Sequence, residues 1–357
     1  MTKLEEHELE EEQEEEGENL EKWIPNYLKQ FIIPYHDEFC YTRVYHYRLV
    51  AALMVEGFLP IATEGVILPK LHHKRCVVSL PGGLHVSKSI RKKSKKFRLT
   101  INQNFDHVVE GCRRQHGPRC WLYPELVRVF KEIHDAGHVN SMVTSCESRK
   151  KIEEAPVRLY SVEVWNDETG EIVAGELGYT VGSMYTSLTG FSSQASAGSV
   201  QLAGLGRLLC KIGFVLWDLG MDMDYKQSLG SHLMDREDFV AHVANVRVTQ
   251  GHNRLPITDS DGFNCKNLID QSLSMEEILS GSEPSRTTVA SAGNSSSSKV
   301  NSRDTDRQGG NSRDVKQPIQ KIAVALHHGR SIPDDQNIPP QKKRNCICNK
   351  QKVEVVR

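Results

Sequence analysis

The chain has 357 residues, 38% of them apolar and 25% charged, enough for a sizeable core in two domains or in one domain with tails. The net charge of −1 conceals two opposed blocks: residues 1–21 hold 11 Glu and one Lys, whereas residues 70–105 hold ten Lys or Arg and no acid. No run of about 18 apolar residues occurs, because the best stretch, Leu202–Met221, is broken by Arg207 and Lys211, so no membrane span is expected.

The acidic N-terminus lacks an apolar h-region and fits neither a secretory signal nor an Arg-rich transit peptide. Nine cysteines without framework spacing point to reduced thiols and a cytoplasmic setting, and Cys346-Ile-Cys348 reads as two free thiols. The basic band suggests a polyanionic partner, with the acidic arm as its internal competitor.

In chain order, residues 1–21 form a solvated low-complexity arm. Tyr41–Phe58 has apolar residues at helical spacing and ends at Gly57, so a helix is expected. Val66–Leu68 and Cys76–Leu80 read as short strands, with Pro81-Gly82-Gly83 as the following turn. A run of seven positive residues follows, Lys88, Arg91, Lys92, Lys93, Lys95, Lys96 and Arg98, merging into a strand at Phe97–Ile101. Asn104–Arg114 and Pro124–Ala136 read as amphipathic helices, the second with Pro at its start and Gly137 at its end. Thr144–Pro156 is polar and is expected to be a surface loop. Tyr160–Trp165, Glu171–Thr180 and Ser183–Phe191 form a strand meander, Val200–Phe214 a helix, Val215–Gly220 a buried strand and Asp235–Val248 a last helix. Composition turns linker-like from about Leu268, with one weak helical stretch at Gln320–His328. The expected organisation is therefore an arm at 1–21, a small N-terminal domain at 22–83, a main domain at 84–250 and a mostly disordered tail at 251–357. The fold class is α+β with a mixed sheet.

Several motifs invite chemical readings. Gln201-x-x-Gly204-x-Gly206 has the form of a CoA pyrophosphate loop, yet it lies one to two turns inside a predicted helix, where a small-residue packing face is the favoured reading. His134-x-x-x-His138 has the spacing of a metal pair, but Gly137 ends the helix between them, so capping or packing is expected and no metal. Ser192, Ser193 and Gln194 are expected to cap the following helix. The basic run would neutralise phosphates without reading sequence; a solvated loop or a localisation signal is the plainer alternative.

Six collinear segments carry a resemblance. They are Leu84-His85-Val86-Ser87-Lys88-Ser89-Ile90-Arg91-Lys92, Phe105–Cys112, Trp121-Leu122, Leu126–Gly137 with its Ile133-His134 ending, Ser161-Val162-Glu163-Val164-Trp165 and Ser228-Leu229-Gly230. In this order, over about residues 40–248, the chain resembles the bacterial leucyl/phenylalanyl-tRNA–protein transferase family. The resemblance implies a small N-terminal α/β domain and an acetyltransferase-like (GNAT) C-terminal domain. It also implies transfer of Leu or Phe from aminoacyl-tRNA to proteins with N-terminal Arg or Lys, without a cofactor and as a monomer. On this resemblance, Trp121, Tyr185, Phe191 and Leu202 are assigned to the aminoacyl and tRNA 3′-end pocket, and Lys88, Arg91, Lys92, Lys93, Lys95, Lys96 and Arg98 to the tRNA backbone. Core packing explains the first four equally well.

The resemblance also implies a catalytic Asp, a Gln two residues later and a Glu in the preceding hairpin. Asp218 matches the first, but Gly220 stands at the Gln position and Leu188 at the Glu position. Strand alternation would put residues 218, 220, 222 and 224 on one face, so Asp218 and Asp222 are the expected catalytic pair, with Asp224 as a substitute. Two other readings remain: a CoA-dependent N-acetyltransferase, and a non-catalytic tRNA or N-terminus binding protein.

Overall fold

The computed structural model describes residues 22–144, 154–247 and 253–280. The acidic arm, most of the expected loop after Thr144, the weak helix at Gln320–His328 and the C-terminal cysteine pair lie outside the described residues.

Helix α1 (Tyr47–Val55) leads into a two-stranded hairpin, β1 (Leu59–Thr63) and β2 (Val66–Lys70). All other strands join one nine-stranded sheet. These are β3 (Lys74–Ser79), β4 (Phe97–Ile101), β5 (Val139–Met142), β6 (Glu154–Asn166), β7 (Glu171–Val181), β8 (Met184–Ser192), β9 (Leu216–Gly220), β10 (His232–Asp235) and β11 (Phe263–Asn264). The order is β10-β3-β9-β8-β7-β6-β4-β11, with β5 also on β6. Every pairing is antiparallel except β8 with β9, so the sheet is mixed and the class is α+β as expected.

Helices α2 (Lys88–Lys93), α5 (Ala197–Ile212) and α8 (Cys265–Asp270) pack on one face, where Leu205, Leu208 and Leu209 share a core with Val162, Val164 and Trp217. Helices α1, α3 (Phe105–His116) and α4 (Pro124–Asp135) cover the other through Leu53, Val108 and Phe130. Short α6 (Asp224–Gln227) and α7 (Arg236–Val246) follow β9, and α9 (Met275–Ser280) ends the described chain.

Local chemistry places these elements. Asn104 caps α3 through Oδ1, which accepts from His107 N–H at 3.1 Å, and Pro124 occupies the first turn of α4, where its missing N–H costs nothing. Glu163 sits buried where β4 turns into α3. Its carboxylate accepts from Ser161 Oγ at 2.6 Å, Thr100 Oγ1 at 2.7 Å and the Asn104 backbone N–H at 3.1 Å. The Ser161-Val162-Glu163-Val164-Trp165 motif thus ties a corner of the fold.

Two expectations change. The segment from 251 to 280 does not behave as linker over its described part. Leu255, Phe263, Cys265, Leu268, Ile269 and Ile278 are buried in the core of the α5 face. Their apolar side chains are too sparse to show a period, yet each is buried in that core. Second, β3 belongs to the segment expected as a separate small domain, but it lies within the main sheet between β9 and β10. The basic run, read as an undivided charged stretch, forms α2, started by Ser87 Oγ accepting from Ile90 N–H at 3.4 Å.

The Gln201-x-x-Gly204-x-Gly206 segment lies inside α5, as the packing reading requires. A Cβ at Gly206 would stand 2.7 Å from the Trp217 ring, whereas one at Gly204 would meet Leu99 at an ordinary 3.5 Å. Gly206→Ala should therefore destabilise the protein by about 1–2 kcal/mol through overpacking, even after the gain in helix propensity. Gly204→Ala should be neutral or more stable by up to about 1 kcal/mol. Urea melts of the two variants check this opposition.

Candidate active site at the parting of β8 and β9

The parallel pairing of β8 with β9 covers only Met184↔Leu216, Tyr185↔Trp217 and Thr186↔Asp218. Beyond Thr186, β8 continues beside β7 alone, and β9 ends at Gly220 in a left-handed turn with φ +72°. The ladder opens there, between Ser187 and Leu188 on one strand and Leu219 and Gly220 on the other, with Trp217 Nε1 still donating across to Ser187 Oγ at 3.0 Å. The positions where the resemblance implies a Glu and a Gln, Leu188 and Gly220, therefore both lie at this parting.

Asp218 is fully buried and held on every side. Oδ1 accepts from Arg75 Nε at 2.9 Å and Gly220 N–H at 2.9 Å; Oδ2 accepts from Arg75 Nη2 at 3.0 Å and Thr186 Oγ1 at 3.1 Å. Four donors fill the acceptor directions of a carboxylate. Arg75 also donates to Gly57 O at 2.9 Å and lies 4.6 Å from the Phe239 ring centroid. The shared face expected for residues 218, 220, 222 and 224 does not form, because the strand ends at Gly220. Asp222 and Asp224 are exposed beyond it, Asp224 opening α6. Asp222 acts electrostatically on Lys226, whose ammonium donates to Leu219 O and Met221 O, each at 2.6 Å.

The four side chains assigned to a pocket are not brought together. Leu188 is an extra residue in β8: Gly178 pairs with Ser187 and Leu177 with Thr189. This bulge reverses which face each later side chain takes. Tyr185 accordingly points to the α5 face, where Leu202 packs, whereas Phe191 lies against α3, with its ring where a Cβ of Gly111 would be, 2.6 Å away. Trp121 packs edge-on against Phe130 of α4, ring centroids 6.3 Å apart.

Sequence reasoning missed Glu176. It lies in β7, buried under α5, and accepts from Tyr185 Oη at 2.8 Å, Ser187 Oγ at 2.9 Å and Gln201 Nε2 at 2.8 Å. Burial pushes its carboxyl up to about 7, against the pull of these donors and of the Lys226 cation. A Glu in an alternating strand reads as solvent-facing; the signal that could have found it is Gln201, a polar residue on the apolar stripe of α5.

The basic run is divided by the fold. Lys92, Lys93, Lys95 and Lys96, with Phe97, Ala195 and Ser196, line a cleft of about 330 Å³ at the start of α5. Arg98 is bound to Asp167 at 2.8 Å and to Ser260 O, Arg91 faces Asp270 at 3.6 Å, and Lys88 is exposed. Of the expected caps, Ser192 Oγ accepts from Gly198 N–H at 3.1 Å, while Ser193 and Gln194 bond to the neighbouring strands. His134 bonds to Asp135 and packs on Phe105, and no group of three metal-ligating side chains occurs among the described residues.

The site is that of an α+β domain whose mixed sheet parts at its one parallel pair, with a buried carboxyl and a lysine-lined cleft on the long-helix side. Residues 78–244 match the family model described as leucyl/phenylalanyl-tRNA protein transferase. Curated proteins of that name are similar. The one from Shewanella baltica is 29% identical over 174 residues, 48% of this chain and 64% of its own length. The one from Pseudomonas fluorescens is 29% identical over 201 residues, 55% and 79% respectively, and the one from Azotobacter vinelandii 30% over 166 residues, 45% and 64%. The chain thus spans less than two thirds of the Shewanella protein.

Two stability predictions follow from the buried charges. Arg75→Met should cost about 3–5 kcal/mol by leaving Asp218 unpaired, and Arg75→Met with Asp218→Leu should recover most of it, as denaturant melts would show. Glu176 has a folded value above its ordinary 4.5, so its protonated form stabilises the fold. That contribution is complete below about pH 4.5 and is lost as pH rises through about 7, a change on the order of 3 kcal/mol. Melts of wild type against Glu176→Gln across this range should show wild type weakening with pH while the variant stays flat.

Proposed function

We propose that the chain is a tRNA-dependent aminoacyltransferase, moving Leu or Phe from aminoacyl-tRNA to the α-amine of proteins with N-terminal Arg or Lys. The observation that carries this reading is the cleft of Lys92, Lys93, Lys95 and Lys96 at the start of α5, inside the segment that matches the family. Four ammonium groups around one concavity suit a phosphodiester backbone, whose affinity comes from charge and counterion release rather than base reading. The CoA reading is weaker, because the N–H groups of the Gln201–Gly206 segment are engaged within α5 and leave no glycine loop to cradle a pyrophosphate. Six free cysteines among the described residues suit a reducing cytoplasm.

In this reading the ester of the charged tRNA lies at the parting of β8 and β9. Tyr185 and Leu202 lie on the α5 face of the sheet, and Phe191 and Trp121 on the face of α3 and α4. Asp218 is a positioning residue: through Gly220 N–H and Thr186 Oγ1 it fixes the end of β9 against β8. Asp222, exposed beyond the strand end, presents a negative charge to the incoming ammonium.

The test supplies purified protein with an acceptor peptide bearing N-terminal Arg and either labelled Leu-tRNA, labelled Phe-tRNA or labelled acetyl-CoA. Label from tRNA supports the proposal; label from CoA alone, or none, overturns it. Because the four lysines are exposed, changing all of them to Ala should leave the fold intact. It should weaken tRNA binding at least tenfold at low salt and flatten the slope of log affinity against log salt by about 3.

A further inference from the structure

Once the attacking α-amine is neutral, aminolysis of an ester requires that its nitrogen lose a proton as it bonds and that the leaving oxygen gain one. Leu188 and Gly220 offer no group that can do either, and the acceptor directions of Asp218 are filled. We propose that Glu176, acting through the hydroxyl of Ser187, is the proton acceptor of the transfer, an inference that rests on the aminoacyl-transfer reading above.

Geometry singles out this pair. Of the three side chains that donate to Glu176, Tyr185 is fully enclosed and Gln201 is 3% exposed. Ser187 alone is half-buried, and it is the first residue of β8 beyond the pairing with β9, at the opening itself. Its Oγ donates to Glu176 Oε1 at 2.9 Å and accepts from Trp217 Nε1 at 3.0 Å, which holds the hydroxyl in place. A hydroxyl carries one proton and two lone pairs, so it can accept from an incoming amine while donating inward.

The charged and titratable groups facing Glu176 come from three elements: Tyr185 of β8, Cys112 of α3, and Tyr225 and Lys226 of α6. Burial is the dominant influence and lifts the Glu176 carboxyl to about 7, where one group can take a proton and return it at neutral pH.

The step balances without a further reactant. The amine nitrogen forms a bond to the ester carbonyl carbon; its proton passes to Ser187 Oγ as the Ser187 proton passes to Glu176 Oε1. Collapse of the adduct breaks the bond between the carbonyl carbon and the ribose oxygen, and that oxygen takes the proton back along the same route. Ester and amine become amide and free tRNA hydroxyl.

The experiment measures single-turnover transfer by the full chain from labelled Leu-tRNA and Phe-tRNA to a peptide with N-terminal Arg, across about pH 5.5–8.5, beside tRNA affinity. Wild type should gain rate through about pH 7 as Glu176 ionises. Glu176→Gln should lose about 10²–10⁴-fold in rate and lose that inflection, with tRNA affinity within about twofold of wild type. Ser187→Ala should lose at least tenfold, again with affinity retained, and it decides the matter if the first variant does not fold. An active wild type whose rate and pH profile survive both substitutions overturns this inference and leaves the transferase reading standing. A wild type that transfers from neither tRNA overturns both.

Discussion

A guanidinium sealed from water needs a carboxylate within reach, and the position of Arg75, bonded through Nε and Nη2 with Nη1 left without a hydrogen-bond partner, therefore dictates much of this fold. It joins β3 to Asp218 of β9, and Asp218 in turn holds Thr186 of β8 and the turn at Gly220. A pair so deeply buried adds little net stability compared with an apolar substitute of the same shape. It does penalise any other register of β3 against β9, because a slip of one residue between them leaves both charges stranded. The same guanidinium reaches Gly57 O just after α1, so the N-terminal segment is fastened at the place where the sheet parts.

The opening gains its two-sided character from one inserted residue. With Leu188 bulged out of the β7–β8 ladder, β8 presents Tyr185 and Ser187 to the long helix and Thr189 and Phe191 to α3. Two environments then flank one short stretch of strand. On one side stands a carboxyl network closed by Gln201; on the other, an aromatic ring is pressed against Gly111. A regular strand would have set Tyr185 and Phe191 on a common wall.

Much of the architecture was legible because its periods are strong. The stripe of Leu126, Val129, Phe130 and Ile133 announces α4, and the alternation through Ser161–Trp165 announces β6. Other parts were not, for physical reasons. Lys88–Lys93 shows no apolar period, and its helix depends on a serine cap and on Ile90 packing against the α5 core. β1 is not legible in the sequence, since Pro60 and the short Leu59–Thr63 stretch after Gly57 show too little alternation to announce a strand. Residues 253–280 owe their order to partners distant in sequence, as when Phe263 pairs with Leu99. At the site, Asp218 is found through the family resemblance, but alternation cannot show that a strand stops two residues later. Glu176 was hidden because its burial depends on a helix that crosses the sheet 25 residues further on.

The ion pairs along the basic band have a consequence for how the molecule would be perceived by a polyanion. Asp167 takes Arg98 and Asp270 takes Arg91, so the chain's own acids edit its positive stripe before any ligand arrives. Both pairs are partly solvated and individually weak. Together they convert a long, indiscriminate ribbon of charge into a compact focus of four lysines with a defined outline. One of the two editors, Asp270, belongs to the segment whose Phe263, Leu268 and Ile269 complete the core, so the stretch that closes the fold also trims its positive stripe.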